Sequence, residues 1–237
     1  MGNCLEGGKD YLADQGHNEL GGVGVTYRLM DGIEFLKSLP DRSVDGIFTD
    51  PPWGSGRDIE GQAIWKELLI ALDKESLRIL RPRARVLIWI GGRMLGEAIR
   101  CFNHLQYQWF FVVKYVSTRY FGRFFADCDP ILYFSLPGEK IYCPKSEHYA
   151  LQFYFHPSVG KSDTLHPCAR PFNTVKSLLN SMFEFGEYVV DPFAGSDTTG
   201  RAARELNLKW DSCEIDPKMY KTGIERHAQG ILFEDAT

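Results

Sequence analysis

The sequence predicts an α/β domain built on a largely parallel sheet. Three observations carry that expectation. Short runs rich in β-branched and aromatic residues alternate with longer segments whose apolar residues recur at helical spacing, the pattern of strand–helix–strand units. The chain has 237 residues, 44% of them apolar and 24% charged, enough for one substantial core and little more. Polar residues also gather immediately after several of the strand segments, where ligands bind in sheets of this kind.

A polar, glycine-rich stretch comes first and reads as a flexible N-terminal segment, residues 1–24, ahead of a single domain at 25–237. Val25 to Met30 is the first strand, its Val, Thr and Tyr suited to a pleated surface. Gly32 to Leu39 follows with its apolar residues at helical spacing. Gly46 to Thr49 is an apolar run too short for a helix and therefore a buried strand. Ile64 to Leu80 is the longest helical pattern, closed by a break at Arg81-Pro82-Arg83. Arg85 to Ile90 is a strand and Arg93 to Asn103 a helix. Trp109 to Tyr115 and Ile131 to Leu136 are strands, the second ended by the Pro137-Gly138 break. Thr174 to Phe185 is helical, Tyr188 to Val190 a strand, Thr199 to Leu206 a helix, and Leu208 to Ile215 the last strand. The segment from Ser117 to Phe125 reads as a loop. No repeat or low-complexity tract interrupts the series.

Composition excludes several classes of protein. The strongest apolar runs, Val86 to Ile90 and Trp109 to Val113, fall far short of a membrane span. The opening Met1-Gly2-Asn3-Cys4-Leu5-Glu6 begins like a myristoylation signal but has Glu6 where Ser or Thr is needed. Six cysteines lie scattered with no CxxC pair, and the six histidines form no ligand spacing. A reducing, cytoplasmic setting is expected, without metal and without membrane. The net charge of −4 argues against indiscriminate coating of nucleic acid. Residues 61–126 nevertheless hold 11 basic and 4 acidic side chains within an otherwise acidic chain. Such a segment is either a solvated arginine-rich face or a local patch able to bind phosphate.

Three segments carry the chemistry. Asp50-Pro51-Pro52-Trp53 ends a strand; its prolines remove two N–H donors and leave carbonyls that only accept. A carboxylate is likewise only an acceptor, so the segment makes a rigid cluster of acceptors beside a flat aromatic face, suited to a planar ligand with an amino group. A strand-ending turn with a packing tryptophan is the plainer alternative. The second segment, Asp191-Pro192-Phe193-Ala194-Gly195-Ser196-Asp197-Thr198-Thr199-Gly200, runs from a strand through a glycine turn into a helix, a pocket for an anionic or polar ligand. It has the glycine spacing of a phosphate loop, but Arg201-Ala202 stands in place of the Lys and Ser/Thr that would hold phosphate and magnesium, which excludes ATP. The third, Glu214-Ile215-Asp216, ends the next strand some twenty residues on, where an acidic side chain can accept from ribose hydroxyls.

Taken with Asp31-Gly32, Leu39-Pro40-Asp41-Arg42-Ser43-Val44-Asp45 and His166-Pro167-Cys168-Ala169-Arg170-Pro171, this ordered set resembles the amino-methylating DNA methyltransferases that use S-adenosylmethionine. The order, with Asp-Pro-Pro-Trp ahead of the glycine loop, is similar to their circularly permuted β group, and the likeness runs from about Val25 to His227. It implies a Rossmann-like, seven-stranded methyltransferase fold, mostly parallel with one antiparallel strand. It implies that Asp191, Pro192, Phe193, Ala194, Gly195, Ser196, Thr198 and Thr199 hold the methionine end of the cofactor. Glu214 would bind its ribose beside Ile215 and Asp216, and Asp31 and Gly32 would lie near its adenine. His166, Pro167 and Arg170 match a segment that closes over the cofactor. Asp50 and the Pro51 carbonyl, with Pro52, would accept from the target amine while Trp53 stacks on an extruded base.

Three departures from the family pattern stand out. Asp197 occupies a position usually held by glycine, either near the cofactor or, the preferred reading, capping the helix at Thr198. Cys168, Ala169 and Arg170 replace Thr, Gln and Lys, which leaves the contact to the methionine carboxylate open. Only 29 residues, 137–165, remain for a target-recognition insertion. DNA contact would therefore depend on short loops, with Arg119, Tyr120 and Arg123 as the candidates, or on a second subunit in a homodimer. That aromatic loop could equally be a flap over the site. The implied activity is methylation of double-stranded DNA, at N6 of adenine in preference to N4 of cytosine, of the kind found in restriction–modification. An RNA adenine methyltransferase and a non-catalytic binding subunit are the alternatives.

Overall fold

The computed structural model describes residues 17–19, 25–52, 59–121, 124–142, 144, 153–156 and 170–234. In chain order the elements are β1 (His17–Glu19), β2 (Val25–Leu29), α1 (Gly32–Ser38), β3 (Val44–Thr49), α2 (Ile59–Ile79) and β4 (Leu80–Trp89). A 3₁₀ turn (Gly92–Met94), α3 (Leu95–Cys101), β5 (Gln106–Phe121), β6 (Phe124–Ser135) and β7 (Phe153–His156) follow. The chain continues through α4 (Phe172–Met182), β8 (Tyr188–Asp191), α5 (Thr198–Glu205), β9 (Lys209–Glu214) and α6 (Pro217–Glu234).

The strands form one sheet in the order β1-β2-β9-β8-β3-β4-β6-β5-β7. Its central seven, β2 through β5, are the expected ones. Of these, β2, β9, β8, β3 and β4 run parallel, and only β6 is antiparallel to its neighbours β4 and β5. β1 and β7 add short edges to this set. Side chains of the inner strands alternate between two apolar layers. Val86, Ile88 and Ile90 join Phe35, Trp65 and Leu69 on the face covered by α1 to α3, whereas Leu87 and Trp89 join Val175, Leu178 and Trp210 under α4 and α5.

Three expectations are corrected. His17–Glu19, inside the segment read as flexible, pairs with β2. The Arg81-Pro82-Arg83 break lies inside β4 and not before it: Val44 pairs with Leu80 and Gly46 with Arg85, so β4 bulges out between them, with Arg83 at φ +66°. Pro82 can sit there because a bulge needs no ladder donor. Residues 117–121 and 124–125 belong to strands and not to a loop: β5 runs on to Phe121 and β6 starts at Phe124, so Arg119 and Tyr120 lie on a strand. The sequence pattern also gave no sign of α6.

Candidate active site

Because β2, β3, β8 and β9 are parallel, their carboxyl ends bring Asp31, Asp50, Asp191 and Glu214 to one edge of the sheet. The loops at that edge touch. A Cβ on Gly32 would lie 2.3 Å from the Pro192 carbonyl oxygen and 2.7 Å from the Phe193 ring, so only glycine allows the β2 and β8 loops to close on one another. Asp31 caps α1, its Oδ1 accepting from the N–H groups of Ile33 (2.9 Å) and Glu34 (3.0 Å).

The glycine loop is organised from below by Asp191. Its Oδ1 accepts from Thr49 Oγ1 (2.6 Å) and the Phe193 N–H (2.9 Å), and its Oδ2 from Thr199 Oγ1 (3.0 Å). Burial pushes this carboxyl up to about 8, against the lowering effect of those hydrogen bonds. Ala194 N–H donates to the Cys213 carbonyl (2.9 Å), and Gly195 N–H to Glu214 Oε2 (2.9 Å), which ties the loop to the end of β9. Glu214 Oε1 accepts from the Asp216 N–H (2.8 Å). Burial raises the Glu214 carboxyl, with the backbone donors working the other way. Gly195 has φ +57° and open space where a Cβ would point. Ile215, next to Glu214 in the chain, is exposed.

Asp197 caps α5 from a left-handed backbone (φ +51°), its Oδ1 accepting from the Gly200 N–H at 3.1 Å. A Cβ on Gly200 would sit 2.1 Å from that carboxylate, which explains the glycine there. The other oxygen lies 2.8 Å from His227 Nε2 of α6, both side chains wholly buried. Arg226 donates to Ser196 Oγ (2.7 Å), and the Tyr27 hydroxyl donates to the Gly195 carbonyl. Asp197 therefore faces inward, into a polar seam joining the loop to α6 and β2.

Asp50 is held from another direction. Arg170 grips it with two parallel bonds, Nε to Oδ2 at 2.7 Å and Nη2 to Oδ1 at 3.0 Å. The same guanidinium reaches Asp129 Oδ2 at 3.4 Å and lies 4.7 Å from the Trp89 ring centre. Antiparallel β6 makes this possible by bringing Asp129 to the edge where parallel β4 ends.

A family model described as DNA methylase, for N6 and N4 methyltransferases, matches residues 44–225. The chain belongs to the DNA methylase family. The DNA adenine methyltransferase YhdJ of Escherichia coli K12 is 26% identical over 243 residues, which cover 83% of this chain and 80% of that protein. The crystal structure of an M1.HpyAVI–SAM complex superposes with a TM-score of 0.69 at 20% identity, covering 85% of this chain and 98% of that one. The cytosine-N4-specific PvuII DNA methyltransferase gives 0.67 at 17% identity, covering 87% and 90%. At these identities the two structures establish the seven-stranded methyltransferase fold.

Within this methylase, the predicted residues Asp31, Gly32, Asp50, Pro51, Pro52, Asp191 to Ser196, Thr198, Thr199 and Glu214 to Asp216 share one sheet edge, and Arg170 joins them through Asp50. Asp216 is exposed and caps α6, accepting from Lys218 N–H at 2.7 Å. Trp53, His166, Pro167 and Arg123 lie outside the described residues. The sequence reading missed Trp89, Asp129, Tyr27 and His227. Asp129 carried a usable signal: it precedes a proline, as Asp50 and Asp191 do.

Proposed function

We propose that this methylase transfers a methyl group from S-adenosylmethionine to the exocyclic amine of a base in double-stranded DNA, N6 of adenine. The observation that carries the reading is the meeting of an acceptor cluster, Asp50 with the Pro51 carbonyl, and a glycine loop backed by Glu214 at one sheet edge.

The residues present suit the cofactor. Glu214 offers carboxylate oxygens at the strand end for ribose hydroxyls, exposed Ile215 offers an apolar surface to an adenine ring, and the open face over Gly195 allows close approach to backbone. Asp191 is buried beneath the loop and shapes it without reaching its surface. When bound, S-adenosylmethionine supplies a methyl group made electrophilic by its sulfonium. The chain's task is to make a poor nucleophile competent, since the lone pair of an aromatic amine is delocalised into the ring. By accepting the two amino hydrogens, Asp50 and the Pro51 carbonyl favour a pyramidal nitrogen whose lone pair is free to react. Holding that nitrogen in line is worth up to roughly 7 to 11 kcal/mol in favourable cases.

Asp50 at the head of Asp-Pro-Pro-Trp favours adenine, and the YhdJ relative is described as an adenine methyltransferase. Arg119, Tyr120 and Arg123 are assigned to DNA contact, and the active form to a homodimer. Mass spectrometry of nucleosides from DNA methylated by the purified protein tests the reading and should show N6-methyladenine. N4-methylcytosine in its place would overturn the base assignment. Asp50→Ala should lower turnover about 100- to 1,000-fold, as loss of one charge-stabilising group does, while leaving cofactor affinity near wild type. An active Asp50→Ala protein would remove Asp50 from the chemistry.

A further inference from the structure

We infer that Arg170, braced by Asp129 and Trp89, is a positioning residue for the reaction: it fixes the plane of the Asp50 carboxylate that receives the target amine. The inference rests on the proposed role of Asp50 and assigns Arg170 to the amine-accepting centre, where the resemblance had placed it over the cofactor.

The geometry is that of a built clamp. Two parallel bonds from Nε and Nη2 to the two Asp50 oxygens set both the distance and the rotation of the carboxyl group. A carboxylate has about four lone-pair sites, and the fork engages one on each oxygen, so it fixes the carboxyl plane without enclosing the group. The guanidinium is itself immobilised, with its third nitrogen on Asp129 and its face on the fully buried Trp89 ring. Trp89 Nε1 in turn lies 3.5 Å from Asp129 Oδ2. The backbone adds its own restraint. Asp50, Asp129 and Arg170 each precede a proline, and a pre-proline residue is confined to extended conformations. Three stiff dipeptides thus converge from the end of β3, from the start of α4 and from within β6. Arg170 also offsets the negative charge of Asp50 where the base would approach.

Turnover at saturating DNA and cofactor, together with calorimetric S-adenosylmethionine affinity, tests this on the full chain. Arg170→Gln should lose turnover on the order of 100-fold, the scale of a misplaced reactive group, with cofactor affinity within about threefold of wild type. Arg170→Lys should recover part of the loss, because it restores charge without the planar fork. Asp129→Asn, which keeps the shape of the brace, should lower turnover by about tenfold and guards against a simple folding defect in the first variant. Wild-type turnover in Arg170→Gln would overturn the inference. Retained turnover with weakened cofactor binding would do so too, returning Arg170 to the cofactor. Absence of methyl transfer by the wild-type protein would instead overturn the proposed function.

Discussion

At the residue scale, Asp191 couples the stability of the site to pH. An aspartate in an unfolded chain titrates near 4, whereas burial holds the folded carboxyl at about 8. Between those values the folded protein keeps a proton that the unfolded chain has released. This contribution to stability is therefore full below about 4, declines as pH rises and is lost above about 8. Asp191→Asn should flatten that decline. Urea midpoints at pH 5, 6, 7 and 8 would check it, with a slope equal to wild type as the contrary result. Asp191 itself was legible in the sequence, since it ends a strand ahead of a glycine turn. Its partner Thr49, 142 positions away, was not. The same holds for Asp197, whose capping role follows from local sequence while its buried contact with His227 depends on how α6 packs.

At the element scale, the β5–β6 pairing continues past Asp129. Val113 pairs with Asp129 at the level of the Arg170 clamp, and from Cys128 back to Phe124 the hairpin continues for roughly 14 Å at ordinary strand rise. A ribbon of that size suits a DNA groove or backbone, and it carries Arg119 and Tyr120. The Arg119→Ala, Arg123→Ala double variant should bind DNA more weakly and with a shallower salt dependence, each lost phosphate contact removing about 0.9 from the slope. An unchanged slope in fluorescence anisotropy would assign the arm another task. The segment passed for a loop because Gly122 and the interleaved arginines masked its aromatic, strand-forming content. The α6 pattern was obscured for a different reason. Gly223 weakens helix propensity, yet a Cβ there would lie 2.5 Å from the Tyr27 ring, so tertiary contact demands what local preference disfavours.

At the scale of the whole molecule, seven strands and their parallel sense could be read from short apolar runs, because inner strands are buried on both faces and their composition shows it. Sheet order could not, since it depends on pairings far apart in the chain. Size sets a further expectation. Specific protein–DNA interfaces bury on the order of 1,000 to 2,500 Å² of protein surface, a large demand on one 27.0 kDa chain. Sedimentation of the DNA complex should find two chains per duplex, and one chain at full specific activity would refute the dimer. The sheet order also dictates how the protein can be assembled. Among the described residues β2 finds its parallel partner only in β9, where Val25 meets Trp210, and β3 meets β8 through Gly46 and Val189. A ribosome delivers Asp31 and Asp50 early and the strands that complete their edge last, so the site stays unbuilt until nearly the whole chain has emerged. A nascent chain stopped before Lys209 would leave Tyr27, fully buried in the finished fold, without its β9 neighbour in the sheet and without α6, which packs Gly223 and Tyr220 against its ring.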